Sequence, residues 1–186
     1  MNLFKTYNFL IYKLTSRYRK GFGVHSPFVF DFINNVLNEK NPYYTYPQID
    51  ALNYKYKQIN RLLFRMVSYY KCKNILIIGE NDDFQKVIRL INNNIMIEQG
   101  SEVKFANSDF IYIAEKELKK IDDFYKNNFS KDLIIICQGI YNNHKNKILW
   151  NKLLQNNFPQ ILIDIFEIGI IFVRKDLKQQ FFKIIF

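Results

Sequence analysis

The most constraining feature of this 186-residue chain is a change of hydrophobic period after Lys73. Residues 74–79 form a short run that is apolar on both faces and ends in Gly79, which is typical of a buried strand in a parallel sheet. A similar run spans 133–137. We predict further strands at 95–98 and 109–113, and helices at 83–93, 115–127 and 142–155. This alternation predicts an α/β protein with right-handed crossovers.

The end of the chain has a different pattern. Residues 160–166, 169–173 and 181–185 are each predicted to be strands. The first two of these strands are joined by residues 167–168 alone, and so short a link can connect only antiparallel neighbours. We therefore expect a Rossmann-like, mostly parallel sheet with an antiparallel C-terminal hairpin that forms an edge.

The first 72 residues have helical spacing and no low-complexity linker. Apolar residues recur every three or four positions through 3–18, and again through 48–70, which predicts one helix of about six turns there. Gly21 and Gly23 should end the first helix, while Ser26 caps a helix from Pro27. We expect a helical cap, residues 1–72, packed on a sheet core, residues 73–186, within a single domain 1–186.

Composition limits the classes of protein further. The chain is 48% hydrophobic and 24% charged, which excludes disorder, and its apolar runs are too short to span a membrane. Cys72 and Cys137 lack the spacing of a zinc site or a disulfide framework. The start of the chain has no continuous hydrophobic core, so we expect no secretory signal and a cytoplasmic location.

The net charge of +10 allows two interpretations. It is typical of proteins that bind nucleic acid or an anionic surface. The tyrosine- and lysine-rich stretches 43–46 and 54–57 could stack on unpaired bases of RNA, although aromatic residues at helical spacing more often belong to a core. The excess of Lys, Asn, Ile, Phe and Tyr, which share adenine- and thymine-rich codons, could equally result from genome bias.

Several stretches resemble one known family. Residues 20–30 (KGFGVHSPFVF), 62–67 (LLFRMV), 73–79 (KNILIIG), 163–175 (IDIFEIGIIFVRK) and 182–186 are similar to motifs of methyltransferase-like proteins of the Bacteroidetes. These belong to the class I S-adenosylmethionine-dependent methyltransferases. The resemblance implies that Gly79 lies under the methionine part of S-adenosylmethionine and that Glu98 holds its ribose. It also implies that a loop containing Gly21, Gly23, His25 and Ser26 closes over the methyl acceptor.

The chain departs from that family in ways that predict a truncated, divergent member. Glu80, Asn81, Asp82 and Asp83 replace the small residues expected after the first strand, although a helix cap explains Asn81 and the two aspartates. Where related O-methyltransferases carry the acids that hold a divalent metal, this chain has Ala-Glu-Lys-Glu at 114–117 and Cys-Gln at 137–138, so we expect no metal. Glu115 and Glu117 could still supply acids, but at the start of the helix 115–127 we expect them to be surface residues that complement the helix dipole.

A deletion accompanies these replacements. Only ten residues separate Glu98 from Asp109, so a third strand and its helices are predicted to be missing and the cofactor cleft to be open there.

Three functions remain open at this stage. The first is a methyltransferase-like pseudoenzyme with degraded cofactor and catalytic motifs, kept as a binding or scaffold module. The second is an active, metal-independent methyltransferase that uses S-adenosylmethionine, and the third is a basic RNA-binding module. No catalytic residue and no methyl acceptor can be named, and the exposed last strand could pair with a second copy to form a homodimer.

Overall fold

The computed structural model describes residues 3–16, 23–100, 107–124, 132–155 and 160–186. Its centre is a seven-stranded sheet in the order β2-β1-β3-β4-β6-β5-β7. The strands are β1 (Asn74–Ile78), β2 (Met96–Gly100), β3 (Phe110–Ile113), β4 (Leu133–Gln138), β5 (Gln160–Asp164), β6 (Ile168–Val173) and β7 (Gln180–Lys183).

Strand direction confirms the predicted fold class. Strands β1 to β4 pair in parallel, and β6 lies antiparallel between β4 and β5. Strand β7 pairs in parallel with β5, so within the described residues the edges are β2 and β7 and the β5–β6 hairpin is internal. The prediction that the hairpin forms an edge is therefore wrong, because β7 pairs with the side of β5 that faces away from β6. We call the side where the parallel strands end the carboxyl edge, and the side where they begin the amino edge.

The helices have the following bounds. They are α1 (Leu3–Thr15), α2 (Pro27–Phe32), α3 (Tyr46–Leu52), α4 (Lys57–Tyr69), α5 (Asp82–Ile91), α6 (Ile121–Phe124) and α7 (His144–Leu153). A π-helical turn (Ile33–Leu37) continues α2, and 3₁₀ turns precede α4 (Tyr54–Tyr56) and α6 (Glu115–Lys120). No helix in the described part of the chain is both long enough and apolar enough to cross a membrane.

The predicted six-turn helix over 48–70 is interrupted. Asn53 has extended backbone, with φ −160° and ψ 103°, and separates α3 from the 3₁₀ turn. Its side-chain Nδ2 donates a hydrogen bond to Asp83 Oδ2 at 3.0 Å, at the start of α5. This contact replaces a helical one and cannot be read from periodicity, because Asp83 is 30 residues away. The interruption brings the 3₁₀ turn to the carboxyl edge.

The sheet is covered on both faces. Ile75 and Ile77 face a core built with α2, α4 and α5, whereas Leu76 and Ile78 face a core built with α1, α7 and the turn before α6. The helical cap is therefore divided: α1 lies on one face and α2 to α4 lie on the other. Tyr12 holds α1 in place, because its hydroxyl donates to the backbone oxygen of Asp164 at 2.8 Å and also contacts that of Ile184.

Candidate functional site

The carboxyl edge contains a turn followed at once by a capped helix. Asn81 caps α5, since its Oδ1 accepts a hydrogen bond from Phe84 N at 3.0 Å. Asp82 and Asp83 occupy the first turn of α5, where the helix dipole favours negative charge. The cap interpretation of these three residues is confirmed. Their acidity therefore has a cause in folding, whether or not they also contact a ligand.

A cleft of about 310 Å³ opens beside this turn. It lies between the ends of β1 and β3, whose following helical segments pack on opposite faces of the sheet. In open α/β sheets such a switch point is the usual ligand-binding position. We call it the acidic cleft. The side chains that line it are Asn53, Tyr56, Ile59, Asn60, Glu80, Asn81, Asp82, Asp83, Tyr112 and Gln138.

One polar group in this lining has no partner. The side chain of Asn60 is 3% exposed, and its Nδ2 forms no hydrogen bond with any described residue. An unsatisfied buried donor costs about 1–3 kcal/mol, so a ligand that accepts this hydrogen bond would recover part of that cost. Tyr112 is buried nearby, and burial raises the pKa of its hydroxyl, which therefore stays protonated.

Gly79 immediately precedes Glu80 of the cleft lining and has φ +89°, a conformation that glycine adopts without strain. A Cβ added there would lie 2.8 Å from Ala114 Cβ and 3.0 Å from Glu117 Cγ. The space beside Gly79 is thus occupied by side chains that follow β3. In addition, Gln99 Nε2 donates to the Gly79 carbonyl at 3.2 Å across the ends of β1 and β2.

Glu98 is exposed on the edge strand β2, opposite Leu76. It precedes the last residue of β2, Gly100, by two positions, so its Cα is roughly 7 Å short of the carboxyl edge at ~3.3 Å per residue. The structure thus does not bring Glu98 and Gly79 to one level of the sheet. As cofactor-binding residues both remain predictions.

The two glutamates after β3 are half-buried rather than free on the surface. Glu117 packs on Gly79, and Glu115 packs in the same way on Gly139, where an added Cβ would lie 2.9 Å from its Cγ. Glu115 Oε2 also accepts a hydrogen bond from Asn142 Nδ2 at 2.6 Å. Both glutamates lie in the first turn of the 3₁₀ segment, as expected, but they are only partly exposed, because the turns that follow β1 and β4 lie beneath them.

No group of three or more His, Cys, Asp or Glu side chains in the described ranges is arranged to hold a metal ion. Cys137, at the end of β4, is fully buried, and burial raises the pKa of its thiol. Burial likewise raises the pKa of the Cys72 thiol to about 12, so neither group is a thiolate near neutral pH.

The predicted substrate loop lies away from the cleft. Ser26 caps α2, with its Oγ accepting from Val29 N at 3.4 Å, and Pro27 begins the helix as expected. Phe28 lines a cavity of about 340 Å³ together with Lys73 and Asp132, which precede β1 and β4 at the amino edge. That is the opposite side of the sheet from the acidic cleft. Closure of this loop over an acceptor therefore finds no support in its position.

The individual loop residues add little to that picture. Gly23 has φ +81°, and His25 is exposed. Gly21 lies outside the described residues.

Sequence reasoning missed the residues that face the cleft from above and from the neighbouring strands. Asn53, Tyr56 and Asn60 come from the interrupted helix, and Tyr112 and Gln138 come from β3 and β4. Glu80 and Asn81 were noticed only as departures from a glycine-rich turn. The one available signal was the polar Asn53 and Asn60 within an otherwise regular helical pattern.

The fold and the cleft define an α/β protein with a mostly parallel sheet and a pocket at its switch point. No family model and no curated protein sequence matches the chain. Among solved structures, the chain is similar to an O-methyltransferase from Bacillus cereus in complex with SAH. The two are 14% identical with a TM-score of 0.44, and the match covers 79% of this chain and 97% of the other.

Proposed function

We propose that the chain is a methyltransferase-like protein with low or no methyl-transfer activity that serves as a binding or scaffold module. In this proposal residues 1–186 form one domain, with residues 1–72 as the helical part. The observation that carries it is the packing of Ala114 and Glu117 beside Gly79. S-adenosylmethionine needs the glycine turn to be open to its methionine end. Here the side chains of Ala114 and Glu117 occupy one side of that turn.

The charge and placement of the neighbouring residues support the same conclusion. Glu80, Asp82 and Asp83 line the cleft and would repel the carboxylate of S-adenosylmethionine. Glu98 is exposed, lies opposite Leu76 and is not among the side chains that line the cleft. These residues therefore do not fit S-adenosylmethionine in the way the resemblance implies. At about 310 Å³ the cleft is at the lower limit of the ~300–1,000 Å³ typical of small-molecule sites, so it can still bind a ligand.

Calorimetry with S-adenosylmethionine and its demethylated product tests this proposal. We expect binding no tighter than the millimolar range, and no change in it when Glu98→Ala is introduced. Glu39→Ala is the matched control, because it removes a carboxylate that lies neither on β2 nor in the cleft and that accepts a hydrogen bond from Asn41 N. Micromolar binding that Glu98→Ala abolishes and Glu39→Ala preserves would instead establish the active, metal-independent methyltransferase and overturn the proposal.

Two further expectations belong to the same proposal. A cytoplasmic location is consistent with the reduced state of Cys72 and Cys137, which are both free and buried. A homodimer formed through β7 is consistent with its place at one end of the sheet and with Phe181, which is 40% exposed on that strand.

A further inference from the structure

A second depression, of about 480 Å³, lies beside the acidic cleft on the carboxyl edge. One wall is α1, the opposite wall is the Tyr54–Tyr56 turn with the start of α4, and the floor includes the β5–β6 connection and the last residues. Tyr56 and Ile59 line both depressions and form the boundary between them. We call this second depression the basic groove.

Three lysines line the basic groove from both walls: Lys13 on α1, Lys55 in the 3₁₀ turn and Lys57 at the start of α4. None of them forms an ion pair with another residue of the described ranges. The lining also contains the carboxylate of Glu167, which Lys5 neutralises through an ion pair at 2.8 Å. The three groove lysines therefore share the lining with one carboxylate, which is already paired with Lys5, so the described side chains of the lining carry a net positive charge.

Aromatic rings alternate with these lysines. Lys57 Nζ lies 4.2 Å from the centroid of the Tyr54 ring, and Lys13 Nζ lies 4.6 Å from that of Phe9. Tyr54 lines the groove and is 78% exposed. The wall that carries Lys13 is held firmly, because the hydroxyl of Tyr12 is bonded to the backbone of β5.

We propose that the basic groove binds a short stretch of single-stranded nucleic acid, with phosphates at Lys13, Lys55 and Lys57 and an unstacked base against Tyr54. Single-strand binding sites combine a positive groove with aromatic faces in this way. A duplex would first have to unpair and unstack a base before offering it to Tyr54, which disfavours it relative to a single strand. An acidic peptide would satisfy the lysines but would leave the aromatic faces without a partner.

The neighbouring acidic cleft limits where the phosphates of such a strand can lie. Glu80, Asp82 and Asp83 repel phosphates, so the backbone stays in the groove. An uncharged base is not repelled in this way, and one that reaches the cleft would meet Asn60 Nδ2, a buried donor without a described partner. This inference does not rest on the proposed function, since neither S-adenosylmethionine nor methyl transfer enters it.

Fluorescence anisotropy with a labelled ten-nucleotide uridine RNA tests the inference. We expect log K to fall with log salt at a slope of about −2, from three phosphate contacts at ~0.7 each. The groove triple variant, Lys13→Gln with Lys55→Gln and Lys57→Gln, should lose most of the affinity and most of the slope. The control triple variant changes exposed lysines that do not line the groove, namely Lys40→Gln, Lys86→Gln and Lys116→Gln, and should keep both.

Stacking is tested separately at one position. Tyr54→Ala should lower the affinity about tenfold, as expected when one stacked base is lost, and Tyr54→Phe should restore it. The proposal is overturned if both triple variants weaken binding equally, or if the RNA does not bind at low salt. It is also overturned if a duplex, polyglutamate or ATP alone competes as well as the single strand.

Discussion

The acidic cleft and the basic groove lie side by side on one edge of the sheet, yet their charges have different physical origins. Asp82 and Asp83 line the cleft from the first turn of α5, where the helix dipole makes negative charge favourable. Of the groove lysines, Lys57 is the first residue of α4, where the same dipole makes positive charge unfavourable, whereas Lys13 lies in the last turn of α1, where it is favourable. Helix stability therefore explains the acids and Lys13, but not Lys57.

This difference separates structural charge from charge that calls for another explanation. Acids at a helix start carry little information about a ligand, because folding alone favours them. A lysine at a helix start lowers helix stability by ~0.3–1 kcal/mol. Genome bias can supply lysines anywhere in the chain, but it does not place them around a concave surface between accessible rings. The groove is thus the more informative of the two depressions.

The largest effect is expected at Gly79, the residue before the cleft-lining Glu80. Gly79→Ala should lower the free energy of unfolding by about 2–4 kcal/mol, since it adds backbone strain at φ +89° to overlap with Ala114 and Glu117. Urea denaturation measures it. Gly23→Ala, at φ +81° in an exposed turn, is the control for strain alone and should cost about 1 kcal/mol. Equal losses in the two variants would mean that the space beside Gly79 is open.

A smaller effect concerns the support of the groove. Asp164 ends β5 and is fully buried, and burial raises its pKa above the ordinary value of 3.8. Hydrogen bonds from Tyr141 Oη at 2.6 Å and from Phe166 N at 2.9 Å, and the charge of Lys183, act in the opposite direction. A raised pKa means that the folded state binds the proton more tightly than the unfolded state does. The resulting stability is complete below pH 3.8 and is lost as the pH rises through the folded-state value.

Asp164→Asn removes this titration. We expect the stability of the natural chain to decline, relative to the variant, from pH 3.8 upwards until the raised pKa is passed, and the difference to be constant above it. Thermal or urea unfolding at a series of pH values measures the difference. Asp176→Asn is the control. Asp176 is exposed at the amino edge, and its hydrogen-bonded ion pair with Arg174 lowers its pKa. The stability that Asp176 contributes should therefore increase, not decrease, as the pH rises. Parallel curves for the natural chain and Asp164→Asn would contradict the expectation.

The sheet was predictable because burial on both faces leaves a continuous apolar run, as in β1 and β4. The order of the strands was harder to predict from the sequence. Strand β7 lies at the edge because it pairs in parallel with β5, and no local pattern specifies that partner. The caps at Ser26 and Asn81 were predictable because capping depends on residues three positions apart.

The depressions themselves were not predictable. Both depend on the interruption at Asn53, which is stabilised by Asp83 far along the chain, while the helical period continues through it. The stretch 54–57 was noted for its tyrosines and lysines, but its partner wall on α1 was not, because only the folded chain brings Lys13 across from Lys55. Gly79 was identified by its place after a strand, whereas its covering by Glu117 depends on a contact across 38 residues.

The smallest effect tests whether the two depressions influence one another. Glu80→Gln removes one exposed charge from the cleft, so it should change stability by less than about 0.5 kcal/mol. Because the cleft adjoins the groove at Tyr56, it should also raise the affinity for the ten-nucleotide RNA two- to threefold at roughly 0.05 M salt, where screening is weak over ~10 Å. Near 1 M salt, with a Debye length of about 3 Å, the gain should vanish. Glu39→Gln, away from both depressions, should show no gain at either salt concentration. A gain that persists at high salt would mean that Glu80 acts by direct contact with the strand, and the two depressions would then form one site.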